Sequence, residues 1–242
     1  MKARLLLLVL ATTMSLGACS WFKGPRGPQP SPLPKVASGV GLAQAWQIKV
    51  GETKGTLLRP VVHENNVYAG GQDGTLVRVN ETGKEVWRTK SVAGLTGGVA
   101  TDGNLVAVGS SDGVLAAHDA RTGVLLWQVP VIGELGGTPF VSGGTVVARV
   151  GDSTLIAFSA QDGKRLWTYQ RTQSPLSLRS YSGISRSGDL LLAGFPGGKL
   201  VALTLAGGFP RWETSVAAPR GSNELERMAD VAVDPEVQGG CR

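Results

Sequence analysis

A glycine stands four residues before a tryptophan at four places in this chain: Gly83 and Trp87, Gly123 and Trp127, Gly163 and Trp167, Gly208 and Trp212. Trp46 starts the same ladder with Leu42 in place of the glycine. Successive steps from Trp46 to Trp212 are 41, 40, 40 and 45 residues, so five of the six tryptophans fall on one ladder. A fixed period of about 40 residues means a chain of like units, each burying its apolar face on its neighbours. No other feature restricts the fold as strongly.

Each repeat returns the same order of signals. In the first, Leu58 to His63 is apolar, Asn65-Asn66 turns, and Val67 to Gly70 is a second strand. Asp73-Gly74 turns again before Thr75 to Val79, and Thr82-Gly83 leads into Glu85 to Thr89. The second repeat reads Gly98 to Thr101, Leu105 to Gly109, Val114 to Asp119 and Leu125 to Pro130. In the third the strands are Gly137 to Val141, Val146 to Val150, Leu155 to Ser159 and Arg165 to Gln170. The fourth is looser, with strands near Ser180 to Ser185, Leu190 to Ala193, Leu200 to Thr204 and Pro210 to Trp212. Four short strands joined by turn residues able to take positive φ are the unit of a β-propeller blade. The expected fold is therefore all-β, a β-propeller of four-stranded blades with about four blades present. The glycine supplies the turn into the last strand, and the tryptophan packs on the neighbouring blade.

Composition agrees, with 35 glycines and only 17% charged residues in 242. The net charge of +6 raises the question of nucleic acid. Two of those charges, Lys2 and Arg4, belong to a segment expected to be removed, which leaves about +4. The others are scattered without a basic stripe or interleaved aromatics, so no nucleic-acid partner is expected.

Residues 1–18 read as a signal peptide. Lys2 and Arg4 are its positive start, Leu5 to Leu10 its apolar run, and Leu16-Gly17-Ala18-Cys19 its cleavage site. The apolar run is too short to cross a bilayer core of about 30 Å. The tetrapeptide resembles the bacterial lipobox, which implies that Cys19 is lipidated and becomes the mature N-terminus; the bland reading is an ordinary secreted chain. Ser20 follows, where many systems place an aspartate to retain lipoproteins at the inner membrane, so the resemblance implies the outer membrane, facing the periplasm. Residues 19–41 are rich in Pro and Gly and read as a tether, and 42–242 as the partial propeller.

The Asp-Gly and Thr-Gly-Lys-Glu-Val-Trp cadence resembles the repeats named for pyrroloquinoline quinone (PQQ). Two families carry them: quinoprotein dehydrogenases, and BamB, a lipoprotein of the outer-membrane β-barrel assembly (Bam) machinery. The lipobox, the tether and Trp46 as an early outer strand are similar to BamB. So are Pro175-Leu176-Ser177-Leu178-Arg179, in the loop opening the fourth repeat, and Glu224 to Val231 after Trp212. The resemblance implies binding to BamA, the barrel subunit, through Leu176, Leu178, Arg179 and Asp230. Its second acid, two residues beyond Asp230, is Ala232 here. Further implied partners are other Bam subunits and unfolded outer-membrane protein clients. In extended chain Leu176 and Leu178 point the same way beside an arginine, a mixture that interface centres favour; the rival reading is that they cap a blade.

The alternative is a fragment of a periplasmic PQQ-dependent dehydrogenase. Such an enzyme commonly places adjacent cysteines over the cofactor, and here Cys19 and Cys241 are the only cysteines. Asp73, Asp112 and Asp162 sit in turns that account for them. His63 and His118 lie far apart in the sequence. No cofactor, metal site or catalytic set is expected, and the reading is a binding protein. The resemblance implies a ring of about eight blades, with Trp46 as the last strand of a blade closed from the other end. A fifth repeat begins at Asp230-Val231, and about 160 residues, four repeats of about 40, would then be absent. The expectation is a truncated or frameshifted relative, poorly soluble or paired with a second arc.

Overall fold

The computed structural model describes residues 43–53, 56, 58–151, 153–172, 182–218, 230–231 and 233–237. All of its strands lie within the unit spanning Gln44–Arg242. They form four antiparallel sheets of four strands, each a simple meander in chain order. Blade 1 holds β1 (Val61–His63), β2 (Asn66–Gly70), β3 (Thr75–Asn80) and β4 (Glu85–Lys90). Blade 2 holds β5 (Ala100–Thr101), β6 (Leu105–Gly109), β7 (Val114–Asp119) and β8 (Leu125–Pro130). Blade 3 holds β9 (Leu135–Ser142), β10 (Thr145–Val150), β11 (Thr154–Ser159) and β12 (Arg165–Gln170). Blade 4 holds β13 (Ile184–Ser187), β14 (Leu190–Phe195), β15 (Lys199–Thr204) and β16 (Pro210–Ser215).

The all-β, four-bladed expectation holds, and the second-repeat strands β6, β7 and β8 fall on the bounds read from the sequence. Two details differ. The first strand of blade 4 starts at Ile184, later than the Ser180 expected. Residues 43–50 around Trp46 form no strand, because among the described residues no third strand of another blade lies beside them to pair with.

The apolar residues separate into three clusters, one at each junction between consecutive blades. Leu76 and Tyr68 of blade 1 pack with Val106, Val108 and Ala116 of blade 2. Leu115, Ala117 and Trp127 of blade 2 pack with Val146, Ala148 and Phe158 of blade 3. Val147, Leu155 and Trp167 of blade 3 pack with Leu191, Phe195 and Val201 of blade 4. In blades 2 and 3, which have a neighbour on each side, this sandwiching buries the second strands on both faces, which explains the near-continuous apolar runs of β6 and β10. Stability is therefore distributed among neighbour interfaces.

The tryptophan ladder is the repeated part of those interfaces. Each indole Nε1–H donates to a carbonyl at the last turn of the next blade: Trp46 to Glu81 (3.0 Å), Trp87 to Ala120 (3.0 Å), Trp127 to Ala160 (2.8 Å) and Trp167 to Leu205 (2.9 Å). The same ring covers the glycine of that turn. A Cβ at Gly83 would lie 2.5 Å from Trp46, at Gly123 2.9 Å from Trp87, and at Gly163 2.8 Å from Trp127. These glycines also sit at φ of 82°, 76° and 70°, where a side chain is strained. The glycine thus has two reasons to be there, backbone conformation and contact with the preceding blade's indole. Trp46 keeps its place on the ladder without being in a strand.

Every last turn also carries a β-bulge. Trp87 pairs with Arg78 but Glu85 with Val79, which leaves Val86 as the extra residue. The same shift isolates Leu126, Leu166 and Arg211. At the end of the series, Trp212 is 43% exposed, against 9% for Trp127 and Trp167, because no described blade follows it.

His118 stands where the matching strands have Val79, Phe158 and Leu203. The Gly123 carbonyl can only accept, so Nδ1 carries the proton (3.1 Å) and Nε2 accepts from the Ser91 hydroxyl of blade 1 (2.8 Å). Burial pushes its pKa down, partly opposed by the bond to Gly123.

Two predictions follow from this packing. Trp127→Ala should lower unfolding free energy by about 3–5 kcal/mol and Gly123→Ala by about 2 kcal/mol or more. Trp212→Ala should cost under about 1 kcal/mol; urea denaturation reads all three, and equal losses for Trp127 and Trp212 would refute the ladder. The second concerns pH. A histidine whose folded pKa is depressed contributes stability above its unfolded pKa, near 6.5, and loses it as pH falls, at up to about 1.4 kcal/mol per unit. Unfolding free energy should therefore drop more between pH 7 and pH 5 in the wild type than in His118→Leu; parallel profiles would refute this.

Candidate functional site

Cys19, Leu176, Leu178 and Arg179 lie outside the described residues. Asp230 is described, as are residues 182–218 and 233–237. Asp230 Oδ1 accepts from the Gly197 N–H at 3.2 Å, in the turn between β14 and β15. Val231 lies against Gly194, where a Cβ would come within 2.5 Å of its side chain. Asp234 accepts from the Gly183 N–H and pairs with Arg59 at 2.9 Å, ahead of β1. The Ser185 hydroxyl donates to the Pro235 carbonyl. Asp230, Asp234 and Pro235 are thus held beside β13 and β14 by bonds to Gly197, Gly183 and Ser185. The Arg59–Asp234 pair is exposed at both ends and adds little by itself.

This mounting follows a rule of the fold. At one position of the second strand, Gly70, Gly109 and Gly194 face Leu76, Leu115 and Leu200. Each glycine receives an apolar side chain from the segment that comes next: Leu95 on Gly70, Leu135 on Gly109 and Val231 on Gly194. In blade 3 the residue at this position, paired with Leu155, is Arg149. Arg149 is buried; its Nη2 donates to the Gly194 carbonyl of blade 4 at 2.8 Å, and its guanidinium lies 4.8 Å from the Phe195 ring centre. The Gly194 carbonyl also accepts from the buried Ser182 hydroxyl. Arg171, just before residues 173–181, sits 5.6 Å from the same ring and pairs with Glu213 of β16. That hydrogen bond holds the Glu213 carboxyl below the usual carboxylate range.

Arg149 and Arg171 therefore join blade 3 to blade 4 through Gly194, Phe195 and Glu213. Neither was singled out from the sequence. The signal was available: laid one above the other, the second strands read Tyr-Ala-Gly, Ala-Val-Gly, Val-Ala-Arg and Leu-Ala-Gly, and only blade 3 lacks the glycine.

The turn aspartates have structural partners. A hydrogen bond from Lys90, helped by Thr75, holds Asp73 down to about 2. Lys164, at 2.7 Å, and Ser159 hold Asp162 down to about 2. Asp119 is also lowered, by the Thr122 hydroxyl and N–H in its own turn. All three are acceptors in turns, with a proton affinity far from that of a general base at neutral pH. Among the described residues no three of His, Cys, Asp and Glu gather into a metal-holding group. An open cleft beside blade 1 is lined by Lys49, Gly51, Glu52, Gln72 and Asp73.

Comparison with known proteins places this architecture. A family model described as outer membrane protein assembly factor BamB matches residues 72–242. A BamB from Burkholderia pseudomallei is 39% identical over 231 residues, covering 95% of this chain and 60% of the relative. The crystal structure of BamB from Moraxella catarrhalis superposes with a TM-score of 0.69 at 24% identity, covering 75% of this chain and 56% of that one. A quinohemoprotein alcohol dehydrogenase from Comamonas testosteroni shares the fold, with a TM-score of 0.58 at 18% identity over 72% of this chain and 37% of that one. The chain thus spans about 60% of the length of the Burkholderia relative. Four consecutive blades tied by one tryptophan–glycine contact, with a family match over most of their length, lead to one assignment: the chain belongs to the BamB family of outer membrane protein assembly factors.

Proposed function

We propose that this chain is a non-enzymatic scaffold lipoprotein of the outer-membrane β-barrel assembly machinery. In this reading it is anchored through lipidated Cys19, faces the periplasm, binds BamA alongside other Bam subunits, and assists insertion of unfolded outer-membrane proteins. The observation that carries the reading is the family match across residues 72–242. It is proposed for a chain spanning about 60% of the Burkholderia relative's length.

The binding residues proposed are Leu176, Leu178, Arg179 and Asp230. Their mounting suits a contact surface. Asp230 is fixed against the β14–β15 turn, and the stretch carrying the other three starts beside Arg171, which is tied to Glu213 and Phe195. Anchored ends lower the ordering cost of binding. Ala232 in place of a second acid makes the acidic contribution smaller than in relatives that carry both. The non-enzymatic part is supported by Asp73, Asp119 and Asp162, each engaged by its own turn or a neighbouring lysine.

Pull-down with BamA tests the reading. Leu176→Ala/Arg179→Ala should reduce capture at least tenfold, the loss typical of removing an apolar anchor and an arginine together, and Asp230→Ala should reduce it less. Undiminished capture by the double variant dismisses the site. Adding PQQ with Ca²⁺ should produce no bound-quinone absorbance; its appearance would favour the dehydrogenase-type reading.

A further inference from the structure

Pairing between β13 and β14 begins at Ile184, opposite Ala193, and so does not reach Gly194. Side chains serve the Gly194 main chain on that side instead. Its N–H donates to the Ser182 hydroxyl at 3.1 Å, and the same hydroxyl donates to its carbonyl at 3.3 Å. Arg149 Nη2 reaches over from blade 3 and donates to that carbonyl at 2.8 Å. Both side chains are buried, where a main-chain carbonyl short of donors is costly. The Arg149 guanidinium also covers the ring of Phe195, the next residue.

This short turn is the seat of Asp230 and Val231. Val231 packs on Gly194, which has no room for a Cβ, and the Gly197 N–H donates to Asp230 Oδ1. One side of the Gly194 to Gly197 segment thus receives Asp230 and Val231, while Arg149 and Ser182 hold its start. Joining blades does not by itself call for the arginine. Blades 1 and 2 have Gly70 and Gly109 at the position of Arg149, and their junctions close by apolar packing and the indole contact. In blade 2 the carbonyl corresponding to that of Gly194 belongs to Gly109, and it accepts from the Thr96 main-chain N–H at 3.3 Å. In blade 4 a side chain from the preceding blade takes on that task.

We infer that Arg149 is a positioning residue for Asp230: by holding Gly194 and Phe195 from blade 3, it fixes the turn whose Gly197 N–H sets the Asp230 carboxylate. Its consequence for binding rests on the Asp230 contact proposed above, and it adds a residue from another blade that acts without touching Asp230. Arginine suits the task because one planar group donates to the carbonyl and lies over the ring at once. Methionine in its place would keep the apolar contact and lose the donor, whereas lysine would keep a donor.

Amide exchange followed by NMR on the full chain, with BamA capture titrated in parallel, tests this. Arg149→Met should raise exchange of the Gly197 amide by about threefold or more, while the Gly123 amide in blade 2 keeps its wild-type rate. Arg149→Lys should bring Gly197 back toward the wild-type rate. Asp230→Ala removes the Gly197 acceptor outright, so adding Arg149→Met to it should change that rate no further. Capture by BamA should fall by about threefold or more in Arg149→Met, and no further in Arg149→Met/Asp230→Ala than in Asp230→Ala alone. Ser182→Ala removes the other support of Gly194 and should raise Gly197 exchange in the same way; a wild-type rate there overturns the inference even where Arg149→Met fails to fold. Wild-type Gly197 exchange in Arg149→Met, or an equal rise at Gly123, overturns it whatever BamA does. Raised Gly197 exchange with capture indifferent to Asp230→Ala upholds the role of Arg149 and dismisses Asp230 from the BamA contact.

Discussion

The structure depends on one contact: an indole lying on the glycine of the next blade's last turn while its N–H closes a hydrogen bond to a carbonyl of that turn. A single blade by itself buries neither face of its central strands, and one neighbour buries only one. The indole supplies the apolar area, the donor and the spacing that attach it to the next. The hydrogen bond matters because an indole N–H buried without a partner is costly. The glycine matters because any side chain would enter the ring. Tryptophan and glycine are thus two halves of one joint belonging to different blades, although the sequence displays them four residues apart on the same one.

The features that distinguish one blade from another lie where repetition is broken. Arg149 replaces a glycine and joins blades 3 and 4 through Gly194 and Phe195. His118 replaces an apolar residue and ties blade 2 to Ser91 of blade 1. In a repeat protein the sister positions act as internal controls, since they show what packing alone demands. A departure that packing does not demand calls for another explanation.

Much of the fold was legible because strand period, turn residues and repeat length agree. Turn pairs such as Asp73-Gly74 and Thr122-Gly123 set strand ends to within a residue or two through most of the chain. The errors lie where local pattern is weakest. The start of β13 was placed early because Ser180 to Gly183 reads as strand-compatible. Trp46 was expected in a strand because its ladder position implies one, yet a strand needs a pairing neighbour. Of the candidate site, Asp230 alone among the expected residues is described, and its bond to Gly197 spans 33 residues, a separation no local pattern encodes.

By itself the amino-acid sequence determined the number of blades, their meander and the identity of the joint, because these depend on a short period repeated four times. Tertiary structure alone decided which blade's tryptophan covers which glycine, that the residue before each tryptophan is a bulge, and that Arg149 crosses to blade 4. Those outcomes depend on pairing register and on contacts between blades. Residues about 40 positions apart meet there, and their geometry is set by the packing of whole sheets, not by any one segment.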